Sequence, residues 1–327
     1  MSDQTSPNHP PARERSARTD PHVLILLATR NGADHLLEQL DSLVAQRHEN
    51  WTLWASDDGS TDDTRTILED FASQRHQTRI SNGPCRGGSE NFLSLLRAVP
   101  KADYGTSWIA FCDQDDVWLP DRLSHGLAAL DRVPLETPAL FCSGMLITDN
   151  DLAHTRRSKP RPRPPDFRNA LVQNIASGNT ILLNPAGAHL VCAAAHEVGA
   201  VVVHDWWVYQ LISGAGGRVI HDDTPLIYYR QHPDNQIGAN DTRRAQLKRI
   251  KMLIDGHFRD WNEINIAALR ASCHRLSAEN QLLLSAFAEM RQSALPARFL
   301  RFWKLGLYRQ NLPGRMALWL SVLLHRL

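Results

Sequence analysis

The sequence predicts an α/β protein with a mostly parallel central sheet. Apolar runs that fit buried strands alternate with stretches in which leucines recur at helical spacing. Polar and acidic residues follow the ends of several of these strands. The carboxyl ends of parallel strands meet at one edge of a sheet, and ligands are expected at that edge. The pattern therefore predicts a binding site there.

The composition is that of a globular protein with no general affinity for nucleic acid. The chain has 327 residues, 43% of them hydrophobic, and a formal net charge of +1. Its 5 cysteines are scattered and contain no CxxC pair, so neither a zinc cluster nor a disulfide framework is predicted. We see no signal peptide and no apolar run long enough to span a bilayer, and we expect a cytoplasmic protein.

We expect three segments along the chain. Residues 1–20 are polar and proline-rich and are predicted to be a disordered tail. Residues 21–240 carry the alternating strand and helix patterns. Residues 241–327 are helical in pattern and basic, with Trp, Phe and Leu between the basic residues. This last segment fits either a helix on an anionic membrane surface or a helical pair docked on the α/β domain.

The first half of the α/β domain contains repeated strand and helix units. Strands are predicted at 23–28, 51–56, 79–80 and 108–112, and helical patterns follow the first three. The second strand ends in an acidic turn that begins at Asp57, where Gly59 permits a tight bend.

The acidic cluster after the fourth strand is a candidate metal site. Asp113, Asp115 and Asp116 lie within four residues at the end of an apolar run. Carboxylates this close repel one another unless a cation lies between them, and hard oxygen ligands suit Mg²⁺ or Mn²⁺. The alternative is an acidic turn whose aspartates cap the next helix.

The second half of the α/β domain is less regular. A helix is predicted at 122–130, a strand at 139–148 and two further strands at 218–220 and 225–229. Prolines break a basic loop, 154–166, which is either anion-binding or simply solvated. A valine run at 201–203 leads into His204-Asp205-Trp206-Trp207, and the last strand leads into Arg230 and His232.

In this order, the motifs resemble those of the family 2 glycosyltransferases, which have the nucleotide-sugar-binding GT-A fold. The resemblance covers roughly residues 23–238. Its motifs are TRN from Thr29, DDGSTD from Asp57, DQDDVWLPD from Asp113, HDWW from His204 and YRQHPDN from Tyr229. The residues of the last three motifs are most similar to those of the rhamnosyltransferase-like branch.

The resemblance implies a nucleotide site on the first strands. Thr29 and Asn31 would lie along the nucleotide. Asp57 or Asp58 would hydrogen-bond the pyrimidine base, uracil or thymine. Arg86 would lie near the base and the phosphates, unless it is a plain surface charge.

It also implies a site for the sugar and the metal. Asp113 would approach the ribose or the sugar. Asp115 would be the principal metal ligand, the DXD aspartate, with Asp116 beside it. His232 would supply another ligand or contact the diphosphate, the alternative being a surface histidine.

Asp205 matches the position of the family's catalytic base. A carboxylate there can take the proton of an acceptor hydroxyl as it attacks the anomeric carbon. The family often has Glu-Asp here, whereas this chain has His204-Asp205, which leaves the role of the neighbour open. Trp206 and Trp207 would stack on an acceptor sugar or belong to the core.

The resemblance thus implies a metal-dependent, inverting glycosyltransferase. Its donor would be a dTDP- or UDP-sugar, with dTDP-rhamnose foremost, and its acceptor a saccharide or lipid-linked saccharide in cell-surface polysaccharide or O-antigen assembly. The C-terminal segment would hold the enzyme peripherally on the cytoplasmic face of the inner membrane.

Two alternatives belong to other functional classes. A nucleotidyltransferase would be expected to have a glycine- and basic-rich loop after the first strand to hold a triphosphate. The loop at Thr29 matches that description poorly. A non-catalytic sugar-binding or membrane scaffold protein on the same fold would tolerate loss of Asp115 or Asp205, and both are present.

Overall fold

The computed structural model describes residues 20–75, 77–231 and 256–327. The strands are β1 (Val23–Thr29), β2 (Trp51–Asp57), β3 (Thr78–Asn82), β4 (Trp108–Asp113), β5 (Val117–Trp118), β6 (Ala139–Thr148), β7 (Thr155–Arg157), β8 (Leu182–Leu183) and β9 (Arg218–Arg230). The helices are α1 (Ala33–Val44), α2 (Thr64–Gln74), α3 (Gly88–Ala98), α4 (Arg122–Leu130), α5 (Phe167–Ala170), α6 (Pro185–Ala195), α7 (His204–Gly214), α8 (His257–Ala271), α9 (Ala278–Gln292), α10 (Leu295–Leu305) and α11 (Leu312–Leu323).

The strands form a single sheet in the order β3-β2-β1-β4-β8-β6-β9-β5, with β7 paired to β6. The block β3-β2-β1-β4 is parallel, as is the pair β6 and β9. The other described pairs are antiparallel, so the sheet is mixed beyond β4. β1 is covered on both faces, which explains its continuous apolar sequence. The α/β class predicted from the sequence is confirmed.

One difference from the predicted elements concerns the end of the sheet. The two strands expected at 218–220 and 225–229 are one continuous strand, β9. Its pairing with β6 shifts in register around Gly144. Because a bulge absorbs the irregular residues, the polar run that suggests a break does not end the strand.

The parallel register places the polar strand ends side by side. Thr29 pairs with Asp57, Asp57 pairs with Asn82, and Ala28 pairs with Asp113. Four neighbouring strands therefore deliver polar side chains to one edge of the sheet, as the sequence predicts.

The C-terminal helices share the core of the sheet. Leu269, Phe287, Phe302 and Leu318 belong to the same buried cluster as Leu24 of β1. The predicted helical character of this segment is confirmed for the described residues, and none of their helices is both long and apolar enough to cross a bilayer.

Two basic side chains of this segment are buried and bind helix ends. The Nε of Arg291 donates to the carbonyl of Leu327 at 2.8 Å, and Nη1 of Arg298 donates to the carbonyl of Val322 at 2.9 Å. Val322 lies in the last turn of α11, where carbonyls lack a partner within the helix, and Leu327 lies just beyond that helix. Part of the basic pattern is therefore structural.

Three predictions lie outside the described residues. They are the disorder of residues 1–19, the segment boundary at 240/241 and the role of His232.

Candidate active site

Hydrogen bonds to the carboxylates of Asp57 and Asp58 fix the turn after β2. Asp57 accepts hydrogen bonds from the hydroxyls of Thr29 (3.1 Å) and Ser60 (2.5 Å). Asp58 accepts from the backbone N–H groups of Cys85 (2.6 Å) and Gly87 (2.9 Å). Thr29, Asp57 and Asp58 are all buried. These contacts fix the loops after β1, β2 and β3 against one another, at the position where the sequence predicts the base.

The loop after β1 is tied to the acidic loop after β4. The side chain of Gln114 accepts from the backbone N–H of Arg30 at 2.7 Å and donates to its carbonyl at 3.0 Å. Asn31 has a φ of 47° and accepts from the N–H of Thr61 at 2.8 Å. Asn tolerates this left-handed conformation better than most residues. The sequence analysis missed Gln114, although it lies inside the DQDD motif.

Asp113, Asp115 and Asp205 form an electrostatically coupled group. Burial, with the nearby charges of Asp115 and Asp205, raises the pKa of Asp113 to about 8. The structure thus brings together a carboxylate from the end of β4, one from the following loop and one from α7. Asp205 is 90 residues after Asp115 in the sequence.

Asp116 faces the interior. It is fully buried, and its Oδ2 accepts from the side-chain amide of Asn179 at 2.5 Å. Burial, with the charges of Asp115 and Asp113, raises its pKa well above the usual range. The side chain of Arg122 bonds the carbonyl of Asn179 and stacks on Trp118, with 3.6 Å to the ring centroid. The structure therefore favours a structural role for Asp116 in the interior under the acidic loop. Its predicted role was that of a metal ligand beside Asp115.

Asp205 lies in the first turn of α7. Its carboxylate accepts from the backbone N–H of Gly178 at 3.0 Å and of Trp206 at 2.6 Å, and it also bonds the side chain of Asn174. The N-terminus of a helix stabilises negative charge. Burial outweighs these contacts and raises the pKa of Asp205 to about 6. A carboxylate with this pKa can accept a proton near neutral pH.

His204 and Gly178 hold Asp205 in place. The ring of His204 stacks on Phe92, with 4.0 Å between centroids, and burial lowers its pKa to about 3. A Cβ at Gly178 would lie 2.8 Å from Nε2 of His204 and 3.4 Å from the Cβ of Asp205. Only glycine lets this loop approach Asp205 so closely. His204 is therefore a neutral packing residue.

Trp206 and Trp207 do not face the cleft. Trp206 is 5% exposed and its Nε1 donates to the carbonyl of Ala170 at 2.7 Å, while Trp207 is 0% exposed. This burial favours the alternative, in which at least one of these side chains belongs to the core, and stacking on an acceptor sugar stays a prediction.

Arg230 fixes the acidic loop through a hydrogen bond to its backbone. It is buried at the end of β9, and its Nε donates to the backbone carbonyl of Asp115 at 3.0 Å. Its other nitrogens bond the carboxylate of Glu38 and the carbonyl of Asn150. One guanidinium thus joins α1, β6 and the acidic loop. Sequence analysis quoted Arg230 in a motif without giving it a role.

Arg86 is exposed in the loop between β3 and α3. The loop itself is fixed, because its neighbours Cys85 and Gly87 bind Asp58. The predicted contact of Arg86 with the base or the phosphates stays a prediction.

The donor atoms at this edge fit a divalent cation. The carboxylates of Asp115 and Asp205 lie close enough to Asp113 for their charges to raise its pKa, and carboxylate oxygens are hard ligands that suit a divalent cation. Among the described residues, no three acidic, His or Cys side chains form a complete metal cluster. A cation at Asp115 would therefore take its remaining ligands from water and substrate phosphates, as Mg²⁺ and Mn²⁺ usually do.

Comparison with known sequences identifies the class of protein. The sequence profile described as "Glycosyl transferase family 2" matches residues 24–182, from β1 to β8. The part of the chain from β1 to β8 therefore resembles this family, and the chain is a glycosyltransferase enzyme.

Two curated relatives are similar over different shares of the chain. The dTDP-rhamnosyl transferase RfbG of Shigella flexneri is 26% identical over 71% of this chain and 81% of that protein. The UDP-Glc:alpha-D-GlcNAc-diphosphoundecaprenol beta-1,3-glucosyltransferase WfaP of Escherichia coli is 31% identical over 32% of this chain and 39% of that protein. The rhamnosyltransferase-like resemblance thus holds over most of the chain.

Solved structures confirm the GT-A fold. Staphylococcus aureus TarS residues 1–349 align with a TM-score of 0.53 at 14% identity, covering 87% of this chain and 80% of that one. The same fragment in complex with UDP-GlcNAc aligns with a TM-score of 0.52 at 12% identity, covering 93% and 89%.

Proposed function

We propose that this glycosyltransferase is metal-dependent and inverting, and that it transfers L-rhamnose from dTDP-rhamnose to a saccharide hydroxyl. One observation carries the mechanism: Asp205 lies at the N-terminus of α7, coupled to the carboxylates that follow β4. A proton acceptor and a site for a leaving diphosphate are therefore adjacent.

One set of residues binds the donor, and another residue acts on the acceptor. Thr29, Asn31, Asp57 or Asp58, and Arg86 bind the nucleotide, and Asp113 orients the ribose or the sugar. Asp115, with His232 as a second candidate ligand, holds Mg²⁺ or Mn²⁺. The bound cation supplies charge stabilisation for the leaving diphosphate.

Asp205 acts on the acceptor. An acceptor hydroxyl attacks the anomeric carbon from the face opposite the diphosphate and forms the new C–O bond. The bond from the anomeric carbon to the phosphate oxygen breaks, and the nucleoside diphosphate leaves with its electron pair. Asp205 accepts the hydroxyl proton, so a single displacement inverts the anomeric centre.

The comparisons support the choice of donor and acceptor. A relative aligned over most of this chain is named as a dTDP-rhamnosyl transferase. Another is named for transfer onto a diphosphoundecaprenol-linked sugar. We infer a lipid-linked saccharide acceptor in the assembly of a cell-surface polysaccharide such as O-antigen. The enzyme then acts at the cytoplasmic face of the inner membrane, held there by its C-terminal segment.

Calorimetric titration tests the proposal. We would titrate dTDP-rhamnose and UDP-glucose into the wild type and Asp115→Ala, each with and without Mn²⁺. We expect Mn²⁺-dependent binding of dTDP-rhamnose that Asp115→Ala abolishes. Asp121→Ala is the matched control, because Asp121 belongs to the same motif but forms an ion pair with Arg47 on the surface at 2.8 Å.

Turnover separates the proposal from its alternatives. Release of dTDP only when a saccharide acceptor is present supports transfer. Donor binding without release, whatever the acceptor, would indicate a sugar-binding scaffold. Consumption of a nucleoside triphosphate with formation of pyrophosphate would indicate a nucleotidyltransferase and overturn the proposal.

A further inference from the structure

The helical hairpin of α10 and α11 carries most of the exposed apolar surface. Of the 13 large apolar side chains that are exposed among the described residues, 9 lie between residues 295 and 324. On α10 they are Leu295, Phe299, Leu300 and Trp303. On α11 and just beyond it they are Leu312, Met316, Leu320, Leu323 and Leu324. Trp303 is 67% exposed and Met316 66% exposed.

These side chains form two outward stripes. Residues 299 and 303 are four apart on α10, and residues 312, 316, 320 and 324 are four apart on α11 and just beyond it, so each set lies along one side of its helix. The inward sides carry Phe302, Leu318 and Val322, which are buried in the core. Contacts of Trp319 with Phe299 and Phe302, at 4.8 and 4.5 Å between ring centroids, pack the two helices together. We call the outward side the hairpin face.

The charge around the hairpin face has one sign. Residues 298–327 contain no Asp or Glu. Arg301, Lys304 and Arg315 are exposed there. Arg301 pairs at 3.1 Å with Glu289, which lies on the neighbouring α9. The face is thus apolar and bordered by cations, the pattern of helices that lie on anionic bilayers.

A pocket of about 200 Å³ opens at the end of the hairpin. Two arginines, Arg163 and Arg315, line it together with Trp303, Tyr308 and Trp319. The guanidinium of Arg163 stacks on Tyr308 at 4.1 Å, which holds it at the rim. Arg163 belongs to the proline-broken basic loop. Two guanidinium groups beside aromatic rings suit a phosphate group attached to an apolar molecule.

We propose that the hairpin face rests on an anionic phospholipid bilayer and that the pocket between Arg163 and Arg315 holds a lipid phosphate. Helices of 11 and 12 residues are roughly 17 Å long, too short to cross a hydrocarbon core of about 30 Å. They lie in the interface instead, with Trp303 at headgroup depth.

The loop between the two helices connects this surface to the acceptor side of the active site. Asn169 donates to the carbonyl of Tyr308 at 2.9 Å, and Arg309 donates to the carbonyl of Val172 at 2.9 Å. Asn174, two residues after Val172, bonds Asp205. On the proposed function, a lipid-linked acceptor in the bilayer would therefore reach the base from this side.

A second copy of the chain is a poorer occupant for the same face. Two copies meeting face to face would bring Lys304 and Arg315 of one against cations of the other, without an acid in residues 298–327 to balance them. An anionic bilayer supplies the opposite charge along the whole face.

Vesicle flotation with the full chain tests the proposal. Probes are phosphatidylcholine vesicles with and without phosphatidylglycerol. We expect binding to require phosphatidylglycerol, and Trp303→Gln and Met316→Gln each to weaken it about tenfold. Leu282→Gln is the matched control, because Leu282 is 73% exposed on α9, outside the hairpin face, and should leave binding unchanged.

The phosphate pocket has its own variants. Arg315→Gln and Arg163→Gln should each weaken binding to phosphatidylglycerol vesicles about fivefold, the effect of one cation near an anionic surface. Arg218→Gln, an exposed arginine at the start of β9, should not. Point variants are preferable to deleting the hairpin, since a deletion would uncover the core around Phe302.

Each outcome decides the proposal. Unchanged vesicle binding in the Trp303 and Met316 variants overturns it. So does a change in oligomeric state without a change in vesicle binding, which would indicate an interface between protein copies. Donor binding is measured on the same samples. Its absence with vesicle binding intact contradicts the proposed function alone, and the reverse result contradicts only the docking surface.

Discussion

The two halves of the active site are built in different ways. The half that we propose binds the nucleotide, called the nucleotide half, lies on β1, β2 and β4, whose parallel register aligns Thr29, Asp57 and Asp113. The acceptor half combines the loop around Gly178, the start of α7 and, through Asn174 and Val172, the C-terminal hairpin. Regular strands place the first set of side chains, whereas contacts between distant segments place the second.

This difference affects how each half responds to change. Polar residues of the proposed nucleotide half bond the loops that follow neighbouring strands of the sheet, as Asp58 bonds the backbone of Cys85 and Gly87. The position of Asp205 depends on a glycine 27 residues earlier and on a histidine packed against α3. We therefore expect substitutions in the acceptor half to affect turnover more than donor binding.

The largest expected effect comes from Asp205→Asn. Loss of the base should lower kcat by about 10²- to 10⁴-fold and leave dTDP-rhamnose binding unchanged. Acceptor-dependent dTDP release and calorimetry measure the two quantities. Asp222→Asn is the control, because Asp222 lies on β9 and its carboxylate pairs with His125 at 2.8 Å. A kcat within a few fold of wild type in Asp205→Asn would show that another group takes the proton.

Gly178→Ala tests whether the loop positions the base. The added Cβ would lie 2.8 Å from Nε2 of His204, so the loop or α7 must shift. We expect kcat to fall by up to about 10²-fold, the effect of a small misplacement of a catalytic group, with donor affinity unchanged. Gly199→Ala is a matched control, since a Cβ there meets nothing within 4 Å. Equal losses in kcat and in donor affinity would contradict the division into halves.

Arg230→Met tests whether Arg230 stabilises the acidic loop of the nucleotide half. It removes the hydrogen bond to the carbonyl of Asp115 and leaves buried acceptors without a donor. We expect the free energy of unfolding to fall by about 2 kcal/mol and Mn²⁺-dependent donor binding to weaken. Denaturant unfolding and calorimetry measure these effects. Arg47→Met, which breaks only a surface ion pair, should change the unfolding free energy by less than about 1 kcal/mol. Identical behaviour of the two variants would remove Arg230 from the site.

The smallest expected effect is a pH dependence of turnover. The pKa of Asp205 is raised to about 6, so the carboxylate is protonated below that pH and available as a base above it. We expect kcat/KM to rise with pH and to reach half its maximum near pH 6. The pH profile of dTDP release checks this. A profile that is flat through pH 6 would contradict the assignment of the base.

The sequence predicted the strands of the proposed nucleotide half and the polar residues at their ends. Strand ends follow from apolar runs, and the parallel register then brings Thr29, Asp57 and Asp113 to one edge. It did not predict which of the candidate site residues are buried. Trp206 and Trp207 are core residues and Asp116 faces Asn179, because the interior beneath the loop is filled from segments that sequence spacing does not relate.

The sequence by itself determined the α/β class, the acidic edge and the basic, apolar character of the C-terminal helices, because each is a local pattern of residue types. Only the tertiary structure decided which side chains of these patterns face outward. It buries Arg291 and Arg298 at helix ends and leaves Trp303 and Met316 exposed on one face. It also joins Arg230 to Asp115 and Gly178 to Asp205. The physical reason is that packing and hydrogen bonding between distant segments, which no local pattern contains, select each side chain's surroundings.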